Sequence, residues 1–187
     1  MVSHSRLRRK KMRLFGRNNP KKGLIDSKGF SMQEMFSEEL QSHEIRKLEP
    51  SEIKRILEIS QKSLSERYSK ELMLEIYQSW PDGFLVYATH NGIYGFLAGR
   101  KMSQREARIL MLATDEKYRS LGIGGEIIEK FILTCQIYGI ITVRLEVRTD
   151  NKRGIEFYQK HGFMVTSILR NYYSDGSDAY VMWKQLI

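Results

Sequence analysis

The segment YRSLGIGGEIIEKFILTC runs from Tyr118 to Cys135 and sets Gly122, Gly124 and Gly125 just where a helix should begin. Apolar residues at Ile127, Ile128, Phe131, Ile132 and Cys135 recur at helical spacing behind them. Glycines at a helix start have two uses. One is a turn with dihedrals that other residues avoid; the other is close approach of a phosphate to bare backbone. The pattern Arg119-x-x-Gly122-x-Gly124 lacks the Gly-Lys-Ser/Thr ending of a P-loop, and Arg119 stands where a dinucleotide fingerprint has its first glycine. The spacing alone leaves both uses open.

Working outward, the flanking sequence alternates strand and helix signals. HEIRKLEP, from His43, reads as a first strand, and Pro50-Ser51 opens a helix with Ile53, Ile56, Leu57 and Ile59 on one side. KSLSERYSK breaks that pattern as a loop, and a second helix is expected from about Ser69 to Gln78. Phe84–Ala88 and Ile93–Ala98 form a hairpin about Asn91-Gly92, and ARILMLAT, ending at Thr114, is a further strand before the glycines. After the long helix come a strand (ITVRLEV), a short helix (NKRGIEFYQK) and a second hairpin about Asp175-Gly176, built from FMVTSILRNYY and AYVMWKQL. The expected order is β-α-α-β-β-β-α-β-α-β-β, a mixed α/β (α+β) domain.

The net charge of +9 is unevenly placed. Residues 1–25 hold nine basic residues and no acid; removing those nine from the 31 in the chain leaves 22, matching the 22 acidic residues. The body is therefore formally neutral, and the division expected is a basic, flexible extension over residues 1–40 and a domain over 41–187. The extension reads as a solvated arm, as a segment that docks on an acidic polymer such as ribosomal RNA, or as a transit peptide. Met12, Met32 and Met35 leave the translation start open. One cysteine, Cys135, rules out an internal disulfide and suggests a reducing compartment, the cytoplasm. Its place on the apolar stripe makes it a core residue. His4, His43, His90 and His161 show no metal-ligand spacing with it, so no metal is expected. No apolar run reaches the roughly 20 residues of a membrane span, so no membrane partner is expected.

Two motifs taken together, LATDEKYRSLGIGG and LEVRTDNKRGIEFYQKHGF, resemble the GNAT acyltransferase superfamily over about residues 43–187. The resemblance implies a mostly antiparallel sheet flanked by helices, with a V-shaped splay between the fourth and fifth strands. It implies acetyl-CoA as co-substrate. The strand edge Leu112, Ala113 and Thr114 would line its pantetheine arm, and the turn Arg119, Ser120, Leu121, Gly122, Ile123, Gly124 and Gly125 would cradle its pyrophosphate. Asn151 and Tyr158 would stand near the same coenzyme. Three further matches resemble protein N-terminal (N-alpha) acetyltransferases of the archaeal and the ribosomal-protein alanine groups. SLSERYSKEL, with Leu64, Glu66 and Tyr68, resembles their substrate loop, although a proline and an asparagine of that loop are replaced. LEVRTDN places Glu146 at a catalytic acid position. NYYSDGSDAYVM resembles a C-terminal hairpin in which Tyr172 and Tyr173 wall the peptide N-terminus.

An α-amine acceptor suits acyl transfer, because the attacking nitrogen must be neutral. Its pKa of about 7.7–8.0 leaves it neutral far more often than a lysine near 10.4. Glu146 is the first candidate base, Glu66 the second, and Tyr158 the candidate acid for the departing sulfur. The amide of Leu112 or Ala113 is the candidate donor to the thioester carbonyl. Taken without the resemblance, each residue has a plainer reading. Glu146 alternates with apolar Val143, Leu145 and Val147 and could pair with an arginine on a neighbouring strand. Tyr158 could pack, Asn151 cap its helix, Glu66 be solvated, and the tyrosine pair stabilise a hairpin. Other acceptors within the superfamily are a lysine side chain, a polyamine or a small amine. A reading of another class is a coenzyme-A-binding module tethered to RNA by the basic extension.

Overall fold

The computed structural model describes Leu40 and residues 42–186. The basic segment over residues 1–25, and the RNA-docking and transit readings placed on it, lie outside the described residues. The elements are β1 (His43–Lys47), α1 (Ile53–Ser63), α2 (Lys70–Ser79), β2 (Phe84–Thr89), β3 (Gly92–Lys101), β4 (Glu106–Thr114), α3 (Ile123–Ile137), β5 (Thr142–Arg148), α4 (Lys152–Lys160), β6 (Met164–Leu169) and β7 (Ala179–Gln185). The order is the one expected from the sequence.

Local chemistry explains most boundaries. A 3-10 turn over Pro50–Glu52 leads into α1 with proline at its first position, where no N–H is needed. Ser69 caps α2 by accepting from the Leu72 amide, and Asn151 caps α4 by accepting from the Gly154 amide. The second hairpin differs from its expected extent. β6 stops at Leu169, and Asn171 turns the chain with φ of 51°. Tyr172 and Tyr173 therefore lie in the connecting loop, where both amides bond the Ser177 carbonyl. Asp178 holds the start of that loop by accepting from the Asn171 amide at 3.0 Å. Capture of the backbone by Asp178 and Ser177 ends the ladder at Leu169, short of the expected strand through Tyr173.

The seven strands form one sheet in the order β1-β2-β3-β4-β5-β7-β6, antiparallel except for β4 and β5. Helices α1 and α2 cover one face through Ile53, Ile56, Ile59, Met73 and Ile76, and α3 covers the other through Ile123, Ile127, Ile128, Phe131 and Cys135. Burial pushes the Cys135 thiol up to about 12, which keeps it protonated and inert.

Two features of β4 prepare the site. Its register against β3 shifts between Met111 and Ile109, leaving Leu110 as a bulge. Ala107 and Ile109 pack toward α3, whereas Leu110, Met111 and Ala113 pack toward α1 and α2. The bulge thus resets which side chains meet which face. Parallel pairing with β5 runs only from Glu106–Thr142 to Ile109–Leu145. Beyond that rung, Leu110–Thr114 and Glu146–Arg148 have no pairing with each other, and the two strands splay.

Candidate active site

The splay opens into a cavity of about 810 Å³, in the range of about 300–1,000 Å³ typical of small-molecule sites. Diverging β4 and β5 form its walls. The start of α3 and the start of α4 stand at one end, and the α1–α2 loop and the β6–β7 loop at the other.

At the first end, the three glycines have three different reasons. Gly122 has φ of 90°, a left-handed conformation that lets the chain turn into α3. A Cβ on Gly125 would press to 3.3 Å from the His161 Nε2, so this glycine serves the packing of α3 on α4. A Cβ on Gly124 would make only ordinary contacts, 3.5 Å to the Phe157 ring and 3.8 Å to the Thr114 Oγ1. Packing does not require glycine there; its bareness leaves room in the cavity that it lines. Ser120 shares the left-handed region with φ of 68°, and its hydroxyl accepts from the Arg153 guanidinium at 3.0 Å. Arg119 donates to the Ser63 hydroxyl at 3.0 Å, and that hydroxyl donates to the Thr114 carbonyl at 3.0 Å. The turn is thereby tied to both α1 and β4. The Arg153 guanidinium and the Arg119 guanidinium, which is 3.4 Å from the exposed Glu116, stand beside the start of α3. There the Gly125 and Glu126 amides already bond the Gly122 carbonyl, and the two amides before them precede the first helical bond. Together they make this end suited to phosphate. These features fit the pyrophosphate of a coenzyme.

At the other end lie the candidate proton carriers. Glu146 is 5% exposed at its side chain and both oxygens are occupied. Oε2 accepts from Arg108 Nε at 2.7 Å, and Oε1 accepts from Arg144 Nη1 at 3.1 Å. Arg144 is held in turn by Glu106 at 2.9 Å. The pairing with a neighbouring-strand arginine that alternation allowed is therefore present, and the carboxylate nevertheless lines the cavity. Glu66 accepts from the Ser174 hydroxyl at 3.0 and 3.2 Å and stands 4.0 Å from Arg148. Arg148 also donates to Asp175 and lies over the Tyr173 ring at 4.5 Å. The Ser177 amide first, then the Arg148 guanidinium, hold the Asp175 carboxyl down at about 2.

Tyr158 packs its ring against Phe157 and Phe163, and its hydroxyl has no hydrogen-bond partner among the described residues. Burial raises its pKa, so the hydroxyl stays protonated at any working pH. Burial, aided by Tyr172, pushes Tyr173 up to about 12, and burial also raises Tyr68. The cavity brings together Leu64, Glu66, Tyr68, Leu112, Ala113, Thr114, Arg119, Gly124, Glu146, Asn151, Tyr158, Tyr172 and Tyr173. Ser120, Leu121, Gly122, Ile123 and Gly125 are not in its lining, and the Ile123 side chain is buried in the core. Any contact of Ile123 with a ligand would be through its amide. Sequence reasoning missed Arg108, Ser63, Arg153 and Ser174. Only Arg108 had a signal, as the neighbouring-strand arginine that Glu146 could pair with.

Similarity to known proteins agrees with this geometry. Residues 53–163 match the acetyltransferase (GNAT) family model. An N-alpha-acetyltransferase of Sulfurisphaera tokodaii is 28% identical over 152 residues, 75% of this chain and 91% of that protein. The ribosomal protein bS18-alanine N-acetyltransferase of Escherichia coli is 35% identical over 97 residues, 50% of this chain and 66% of that protein. The crystal structure of Ard1 from Thermoplasma volcanium superposes with a TM-score of 0.76 at 42% identity, covering 78% of this chain and 99% of that one. With more than half its length matched, the splayed sheet in place and a glycine turn at the cavity end, the chain belongs to the acetyltransferase (GNAT) family.

Proposed function

We propose that the protein transfers the acetyl group of acetyl-CoA to the free α-amino group of protein N-termini, by direct attack within a ternary complex. One observation carries the reading: a single cavity joins a phosphate-suited turn to a carboxylate- and tyrosine-lined end across the splay. The names of the archaeal and bacterial relatives support the choice of acceptor.

Acetyl-CoA supplies an activated acyl group on a thiol leaving group. Arg119, Arg153 and the first amides of α3 hold its pyrophosphate. The freed edge of β4 at Leu112 and Ala113 orients the pantetheine arm and offers an amide to the thioester carbonyl. The α-amine enters between Tyr68, Tyr172 and Tyr173, whose rings exclude water from one side. Glu146 already accepts two charged hydrogen bonds, so it takes the amine's proton through a water rather than by direct contact. Glu66, more exposed and bonded by a neutral hydroxyl, receives the incoming ammonium and shares that relay. Tyr158, kept protonated by burial, donates a hydrogen bond to the departing sulfur. With a thiol pKa of about 8.5 the thiolate leaves without needing a full proton transfer, so this contact only assists. Cys135 has no part, being buried away from the cavity.

The basic segment over residues 1–25 completes the proposal as a salt-sensitive contact to ribosomal RNA. Mass-spectrometric localisation of the added acetyl group tests the central reading. An acetyl on the α-nitrogen of a lysine-containing peptide supports it, and an acetyl confined to the lysine refutes it.

A further inference from the structure

Arg108 was not among the residues the sequence singled out, yet it touches both halves of the acceptor end. Its Nε donates to Glu146 at 2.7 Å, and its Nη2 donates to the Tyr172 hydroxyl. These two nitrogens form one edge of the planar guanidinium, so one rigid group sets the spacing between a carboxylate on β5 and a phenol on the β6–β7 loop. Arg144 holds the opposite carboxylate oxygen and is fixed by Glu106, so Glu146 cannot turn to follow a displaced Arg108 without losing a charged bond. Tyr172 is 41% exposed, and its ring meets Tyr173 edge-on at 5.1 Å. Its hydroxyl bond to Arg108 is therefore a direct tie between this loop residue and β4.

We infer that Arg108 is a positioning residue that couples the proton-accepting carboxylate Glu146 to the peptide wall at Tyr172, so that acceptor placement and carboxylate orientation are set together. The inference rests on the acetyl-transfer reading above. Lysine cannot replace arginine here. Its single ammonium preserves the charge beside Glu146 but lacks the rigid two-nitrogen edge that spans both partners.

The test is a double-mutant cycle of Arg108→Lys and Tyr172→Phe, run with whichever amine the unaltered enzyme turns over. A wrong acceptor in that first assay counts against the proposed function; the cycle judges the coupling. Each single variant should lower kcat/KM for the acceptor by about fivefold to tenfold, while the KM for acetyl-CoA stays within about twofold. In the Arg108→Lys background, Tyr172→Phe should have almost no further effect. Effects that multiply independently would overturn the coupling, as would an Arg108→Lys enzyme with unchanged kcat/KM. If Arg108→Lys does not fold, Tyr172→Phe decides alone: full activity overturns the inference. A reduced kcat/KM with unchanged melting temperature and acetyl-CoA KM supports it.

Discussion

Glu146 stands one residue beyond the last paired rung of β4 and β5, with its Oε2 2.7 Å from the Arg108 Nε on the neighbouring strand. The pair is at once an ordinary cross-strand salt bridge and part of the cavity wall. Substitution separates those roles. Glu146→Gln keeps the shape and an acceptor oxygen for Arg108 but removes the base. We expect kcat to fall by about 10²-fold or more, with the KM for acetyl-CoA unchanged, as steady-state kinetics would show. Unchanged kcat would reduce Glu146 to a structural ion pair.

Tyr158→Phe removes one hydroxyl that has no protein partner and leaves the packing ring in place. Stability should therefore change little. The fall in kcat should be smaller than for Glu146→Gln, about tenfold, because the thiol is already a fair leaving group. Calorimetric binding of coenzyme A should be retained.

The glycines give a contrast within one turn. Gly122→Ala forces a side chain into the left-handed region and should cost about 1–2 kcal/mol, read as a lower melting temperature. Gly124→Ala meets only ordinary contacts, so stability should hold or rise slightly. Its effect should instead be a severalfold higher KM for acetyl-CoA. Loss of stability with an unchanged KM at position 124 would mean that the glycine is there for packing.

Tyr173 supplies a pH prediction. Its pKa is raised from the ordinary 10 to about 12, first by burial and then by Tyr172. A raised folded value means that the neutral form is favoured by folding. The associated stability is complete below pH 10 and is lost as pH rises through about 12. Spectrophotometric titration should therefore show the same tyrosinate amplitude below pH 11 for wild type and Tyr173→Phe, with the difference emerging above it. An early difference would place Tyr173 in water.

The element order was legible because the chain marks its boundaries chemically. Ser69 and Asn151 cap their helices as the sequence suggests. The two hairpins reverse close to Asn91-Gly92 and Asp175-Gly176, although Gly92 itself pairs with Thr89 and Asp175-Gly176 sits within a longer loop. The glycine turn, Glu146, Tyr158 and the tyrosine pair were legible as candidates only through the resemblance to the GNAT superfamily; taken alone, each had a plainer reading. What the sequence could not show depends on register. Leu110 gives no sign that it is a bulge, because the shift is defined only against β3. Arg108 looks like any polar residue of an alternating strand until β4 and β5 are paired. Tyr172 and Tyr173 read as strand because tyrosine suits strands, whereas acceptors at Ser177 and Asp178 capture the backbone of that turn.

The central claim is the acceptor, and the most direct measurement is coenzyme A release from acetyl-CoA with two matched peptides. One has a free N-terminus and no lysine; the other has a blocked N-terminus and one internal lysine. Turnover on the first alone is the predicted result. Turnover on the second alone, or on neither while coenzyme A still binds, would contradict it and move the function to lysine, to a small amine or to a binding module.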